Sequence, residues 1–189
     1  MTRARLGLFG GTFDPPHFGH VAALRAAAAT GRFDRIEVTV AGNPYLKRAT
    51  TEIHPATLRF AMAEAAFGGL ALVEVSDREI RREGPSYTID TVRELLETCD
   101  EVDVIMGADL LEQIDSWHEA SELRTLVQLG VVPRPGGSGR VPPGWRAYEI
   151  EMEPVDLSSS FIREVAKTPE NLRNFVPEDV IPLYEGFRG

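Results

Sequence analysis

"LGLFGGTFDPPHFGHVAALRAAAAT", residues 6–30, changes character twice, and the order of the changes decides the fold. Residues 6–9 are a short apolar run that stops at Gly10 and Gly11, the pattern of a buried strand. Residues 18–30 are rich in alanine and predict a helix. Between them lie the glycine pair, Thr12, Phe13, Asp14, two prolines and His17. Glycines placed after a strand and before a helix let the chain turn sharply and bring backbone N–H groups close to a bound anion. Pro15 and Pro16 stiffen the approach, and His17 and His20, three apart at the helix start, fall on one face.

Working outward, the alternation repeats. Residues 35–40 predict a strand, 55–67 a helix and 70–75 a third strand. Ile89, Val92, Leu95 and Leu96 stand at helical spacing within 86–99, and residues 101–107 read as a strand that again ends in glycine. Ser116 is read as the cap of a helix over 117–126, followed by a strand at 127–132. The proline and glycine cluster 133–144 reads as a surface loop. Residues 145–153 alternate like a late strand, and 158–168 open with capping hydroxyls before a short amphipathic helix. This pattern predicts an α/β fold: a Rossmann-like, doubly wound parallel sheet with helices on both faces, in a single domain over 1–189. Ligands of such sheets bind beyond the carboxyl ends of the strands.

Composition narrows the partners. The 189 residues are 43% hydrophobic and 26% charged, enough for one sizeable core, and the formal charge of −9 speaks against nucleic acid and anionic membrane as partners. A local basic pocket for a small anion is compatible with that charge. Cys99 is the single cysteine, which excludes a disulfide framework and a thiolate cluster and fits a reducing compartment. The apolar stretch at the N-terminus is too short for a secretory segment and no run is long enough to span a membrane, so a cytoplasmic location is expected.

The glycine spacing is neither G-x-G-x-x-G nor the Walker pattern, so the usual dinucleotide and P-loop readings do not apply. At a helix N-terminus the dipole favours anions, and a phosphate there would meet helix N–H groups and imidazole donors together. Such an arrangement could stabilise charge developing on a phosphoryl group in transfer. The alternatives are a Gly-Pro turn with two incidental histidines, or a metal pair with Asp14; no third nitrogen or sulfur ligand is near and H-E-x-x-H is absent, so no protein-held metal is expected.

"GGTFDPPHFGH", residues 10–20, resembles the first signature of the nucleotidyltransferase superfamily, whose H-x-G-H histidines fall here on His17 and His20. "LSSSFIR", residues 157–163, resembles its second signature, I-S-S-T-x-I-R. "GPSYTIDT" (84–91), "MGADLLEQIDSWHEASEL" (106–123) and "VVPRPG" (131–136) are similar to the bacterial nicotinate-nucleotide adenylyltransferases, over nearly the whole chain. The resemblance implies ATP and a pyridine mononucleotide, nicotinate mononucleotide, as substrates, deamido-NAD and pyrophosphate as products, and Mg2+ bound with ATP.

Carried over residue by residue, the resemblance puts Gly10, Gly11, Thr12, Phe13, His17 and His20 in the ATP site, together with Gly107, Asp109 as a ribose acceptor, Arg134, and Ser158, Ser159 and Arg163. His17, His20, Lys47 and Arg163 become the catalytic group, and Lys47, Ser86, Tyr87, Thr88 and Trp117 the mononucleotide site. The ring of Trp117 would stack on the pyridine, and backbone N–H groups near Ser86 would meet the ring carboxylate. Each has a plainer alternative: Trp117 as a core anchor, residues 86–88 or Asp109 as helix caps, Lys47 as a solvated charge. Positioning and charge neutralisation should dominate such a transfer, so no general base is assigned.

Where the family shows P-P-H-K after the second strand, this chain reads "NPYLK", residues 43–47; "LSSS" and "PRPG" likewise replace I-S-S-T and S-R-P-G. The first departure loosens the acceptor's identity more than the ATP chemistry. Transfer to another acceptor, such as nicotinamide mononucleotide, and a nucleotide-binding module without turnover both stay open, as does a homo-oligomer.

Overall fold

β1 (Arg5–Gly11) lies inside a six-stranded parallel sheet, where its two-sided apolarity is satisfied. The protein is described here from a computed structural model covering residues 4–44, 53–137, 139–166 and 168–186. From β1 the chain passes through α1 (Phe18–Ala29), β2 (Arg35–Val40), α2 (Ala56–Phe67) and β3 (Val73–Ser76) to one edge of the sheet. It then returns through α3 (Arg78–Arg81) and α4 (Thr88–Leu96) to β4 (Glu101–Gly107) on the other side of β1. A 3₁₀ segment (Ala108–Ser116), α5 (Ala120–Leu126), β5 (Val127–Val132) and β6 (Ala147–Glu149) complete the second half, giving the order β3-β2-β1-β4-β5-β6. This is the doubly wound, Rossmann-like arrangement expected from the alternation. α6 (Ser159–Val165), α7 (Pro169–Leu172), a short 3₁₀ turn (Glu178–Val180) and α8 (Ile181–Gly186) follow.

Reversal of strand order between β1 and β4 opens a crevice there. β1 stays in register with β2 as far as Gly11 opposite Val40, but its ladder with β4 ends at Leu8 opposite Val104. Beyond that level the backbone of residues 9–11 and 105–107 diverges, as the fold requires for a ligand at a topological switch point.

Both faces are covered. Leu6, Leu8, Val102, Val104 and Met106 pack against Ile89, Val92 and Leu95 of α4 and Leu123 of α5. Phe9, Ile36, Val38 and Val40 pack on the opposite face against Leu24 and Ala27 of α1 and Ala63 and Phe67 of α2. A third cluster, Met62 with Ile162, Leu172, Val180 and Tyr184, fastens the C-terminal helices to the outside of α2. No described helix is long and apolar enough to cross a membrane.

Four sequence expectations are corrected. Ser116 does not cap a helix over 117–126: its hydroxyl donates to the Gln113 carbonyl at 2.6 Å, ending the 3₁₀ segment, and α5 begins only after Glu119, which adopts a left-handed conformation (φ 50°). The late strand shrinks from 145–153 to Ala147–Glu149, since it borders β5 alone. The third strand starts at Val73, after the positive φ of Leu72 (63°) has turned the chain. The helix expected over 86–99 is Thr88–Leu96.

Candidate active site

The segment that leaves β1 is shaped by its own side chains. A Cβ on Gly11 would lie 2.6 Å from the Phe13 ring, so glycine there is what allows Phe13 to fold back under the strand end. Phe13 accepts a left-handed backbone (φ 51°) and is buried, its ring centroid 5.4 Å from that of Phe67 and 5.1 Å from that of His20. Gly10, by contrast, is exposed and has open space where a side chain would stand.

His17 occupies the N-cap of α1 in an extended conformation and is almost wholly buried. Its ring stacks on that of His20, centroids 3.7 Å apart and planes within 25°. The His17 backbone N–H donates to His20 Nδ1 at 3.2 Å. That bond fixes the tautomer: with Nδ1 accepting, a neutral His20 carries its proton on Nε2 and is a donor from that edge. Two imidazoles therefore meet at the positive end of the α1 dipole, beside the crevice between β1 and β4.

The loop below them is clamped from two sides. Inside, the fully buried Asp14 carboxylate accepts from the His54 backbone N–H at 3.1 Å and pairs with His54 Nδ1 at 2.6 Å. Arg59, 1% exposed, donates through Nε to the His54 carbonyl (2.9 Å) and through Nη1 to the Thr12 carbonyl (2.8 Å). Burial pushes its guanidinium down from the ordinary value and the Asp14 charge opposes the shift. Outside, Arg163 Nη1 donates to the Asp14 carbonyl (2.6 Å), the Ser159 hydroxyl donates to the Pro15 carbonyl (2.9 Å), and Ser158 caps α6 by accepting from Phe161 N–H (3.1 Å). The two terminal signatures of the chain thus meet in space. Asp14, weighed in the sequence as a metal partner of the two histidines, is paired here with His54. His54 and Arg59 went unread in the sequence, although Arg59, Met62, Ala63 and Phe67 recur at helical spacing and so put an arginine on a buried stripe.

Across the crevice, Gly107 ends β4 and is packed so closely that a Cβ would meet Asp109 Oδ1 at 2.3 Å. Asp109 lies in the first turn of the 3₁₀ segment, whose N-cap is Gly107, and its carboxylate stands 3.7 Å from Arg134 Nε. Arg134 also donates to the Leu157 carbonyl at 2.8 Å, linking the loop after β5 to the start of the α6 signature. A cleft of about 350 Å³ opens here, between Ala108, Val131, Pro133, Arg134, Gly137 and Val141.

The remaining described residues lie around the start of α4 and the end of the 3₁₀ segment. Ser86 N–H donates to the Asn43 carbonyl, and Asn43 N–H donates to the Ser86 hydroxyl, both at 3.0 Å. The hydroxyl thus ties two loops together, and the N-cap of α4 is Tyr87, with Thr88 its first residue. Tyr87 stacks on His118 at 3.9 Å, next to Trp117, which ends the 3₁₀ segment half-buried against the core. Beneath Ser86 the buried Glu79 accepts from the Thr91 hydroxyl at 2.7 Å, and Arg82 donates to the same hydroxyl at 2.8 Å. Burial pushes the Glu79 carboxyl above its ordinary value, while Thr91, Arg82 and Ser86 pull it back. Lys47 lies outside the described residues.

Among the described residues no group of three or more His, Cys, Asp or Glu side chains converges as a metal site. The polar surroundings of the crevice instead include N–H donors and cations, which suit a phosphate chain.

Comparison with known proteins agrees with this fold. Residues 8–165 match the family model "Cytidylyltransferase-like". The chain is 36% identical to a protein of Geobacillus thermodenitrificans over 93% of its own length and 81% of the relative's, and 38% identical to one of Methylibium petroleiphilum over 94% and 86%. Both relatives carry the name "Probable nicotinate-nucleotide adenylyltransferase". Among solved structures it resembles the Plasmodium falciparum nicotinic acid mononucleotide adenylyltransferase complexed with NaAD, at a TM-score of 0.80 and 16% identity over 97% of this chain and 96% of that one. The same enzyme complexed with APC gives 0.77. At that identity the likeness is one of fold.

Proposed function

We propose, because this chain belongs to the family of nicotinate-nucleotide adenylyltransferases and to the wider cytidylyltransferase-like family, that it transfers the adenylyl group of ATP to nicotinate mononucleotide. The observation that carries the reading is the stacked His17–His20 pair at the N-terminus of α1, beside the crevice where β1 and β4 part. In the reaction a phosphate oxygen of the mononucleotide attacks the α-phosphorus of ATP. The bond from that phosphorus to the oxygen bridging it to the β-phosphate breaks, and pyrophosphate leaves with the bonding electron pair, forming deamido-NAD. His20 Nε2–H and the N–H groups opening α1 donate to oxygens that gain charge in the transition state. The exposed backbone at Gly10 lets the phosphate chain approach.

Arg163, next to the loop carbonyls, and Lys47 add positive charge for the departing pyrophosphate. The half-buried Trp117 and the turn Ser86–Thr88 receive the pyridine ring and its carboxylate. Mg2+ is part of the proposal as an ion delivered with ATP, neutralising phosphate charge. A cytoplasmic site of action belongs to the same proposal.

The test incubates the purified protein with ATP, MgCl2 and nicotinate mononucleotide and follows pyrophosphate release, with nicotinamide mononucleotide in parallel. Release with formation of deamido-NAD is expected. No release alongside a competent control enzyme, or a higher kcat/KM for the amide, overturns the reading. His20→Ala should lower kcat on the order of 10²–10³-fold, as loss of one oxyanion donor does.

A further inference from the structure

Arg59 is costly to bury and its helix does not need it. Its neighbours on the buried stripe of α2, Met62, Ala63 and Phe67, are apolar, so a methionine there would complete the packing. What the guanidinium supplies is a fork between two carbonyls from different segments, Thr12 at the exit of β1 and His54 ahead of α2. His54 in turn pairs with the Asp14 carboxylate, two residues beyond Thr12, so the ring Thr12–Arg59–His54–Asp14 closes on the loop it holds. The charges match: Asp14, fully buried, is the anion that opposes the effect of burial on Arg59. From Asp14 the constraint passes through Pro15 and Pro16, whose φ angles are fixed, to the backbone N–H of His17. That N–H is the group that makes His20 Nδ1 an acceptor and leaves its proton on Nε2.

We propose that Arg59 is a positioning residue for the transfer, holding the segment from Thr12 to His17 so that His20 presents Nε2–H to the α-phosphate. The inference rests on the role proposed for His20. Without the fork, the carbonyls of Thr12 and His54 and the charge of Asp14 lose a buried partner. The loop then relaxes, and the bond from His17 N–H to His20 Nδ1 is lost with it.

The experiment compares wild type, Arg59→Lys and Arg59→Met. It reads kcat and KM for each substrate, the melting temperature, and the side-chain 15N spectrum of His20 in the protein alone. In Arg59→Met, kcat should fall on the order of 10²-fold, the scale of a misplacement of about 1 Å, with the acceptor KM within about twofold. The His20 Nδ1 resonance should move from an unprotonated acceptor toward a mixture of tautomers. Arg59→Lys keeps the charge but cannot fork, and should fall between the two in both readouts.

A folded Arg59→Met with wild-type kcat or an unchanged His20 tautomer overturns the proposal. If Arg59→Met does not fold, Arg59→Lys decides: wild-type kcat and tautomer in that variant overturn it equally. The spectrum is taken without substrate, so a wild-type protein that releases no pyrophosphate defeats the proposed function while the tautomer still judges the positioning role.

Discussion

The adjacent glycines at the end of β1 should respond oppositely to the same added methyl group. In Gly11→Ala the Cβ arrives 2.6, 2.8 and 2.9 Å from three atoms of the Phe13 ring, against 3.4–4 Å for ordinary contact. The ring must retreat by about 1 Å to restore normal separation. It is 2% exposed, with Phe9, Phe67 and His20 around it, so the retreat is resisted. Overpacking of that kind costs about 1–3 kcal/mol, offset by about 0.4–1 kcal/mol from the stiffer unfolded chain. The net loss, about 1–2 kcal/mol, corresponds to a melting temperature lower by about 2–8 °C for a chain of this size. Because the displaced ring abuts His20, kcat should fall on the order of 10-fold or more.

In Gly10→Ala the methyl meets no protein atom within 4 Å, so stability should stay level or rise by about 0.4–1 kcal/mol. The space it fills is the approach of the phosphate chain, so the KM for ATP should rise severalfold. Calorimetry and a coupled pyrophosphate assay on the two variants check both. A Gly10→Ala enzyme with unchanged KM and kcat would refute the placement of the triphosphate. A Gly11→Ala enzyme as stable and fast as wild type would refute the pinning of Phe13.

Two further outcomes concern the acceptor side. Glu79 has a carboxyl pushed up by burial, so its contribution to stability is fully present below the carboxyl's unfolded-state value and is lost as pH rises through the raised one. Glu79→Gln keeps an acceptor for the Thr91 hydroxyl and carries no charge, so its melting temperature relative to wild type should climb from acidic to neutral pH; a constant difference would contradict the assignment. Gly42→Ala would set a Cβ 2.3 Å from the Glu79 carbonyl and 2.9 Å from Ile80 Cα, backbone that cannot step aside. It should separate Asn43 from Ser86 and raise the acceptor KM with little change in the ATP KM, and equal effects on both in steady-state kinetics would argue against separate subsites.

Much of the fold was legible because each signal was local. The apolar runs at 6–9, 101–107 and 127–132, the glycines at two of their ends and the alanine-rich stretch after 18 each report on their own neighbourhood, and their alternation leaves few topologies. The failures were local signals overruled by packing. Ser116 looked like a cap, but Leu111 and Ile114 had to reach the core beneath β4, and the chain satisfied them with a 3₁₀ segment that placed α5 three residues later than expected.

The sequence by itself determined a doubly wound parallel sheet with a glycine turn and a histidine pair at one strand end, since period, composition and short-range motifs are properties of adjacent residues. Only the tertiary structure decided how that turn is held. Arg59 and His54 reach it from α2 and the chain before it, while Ser159 and Arg163 reach it from the far end of the sequence. Such partners meet only once the core has closed, because a backbone carbonyl accepts a bond without regard to which residue carries it. No pattern of side chains announces which carbonyl a buried guanidinium will find.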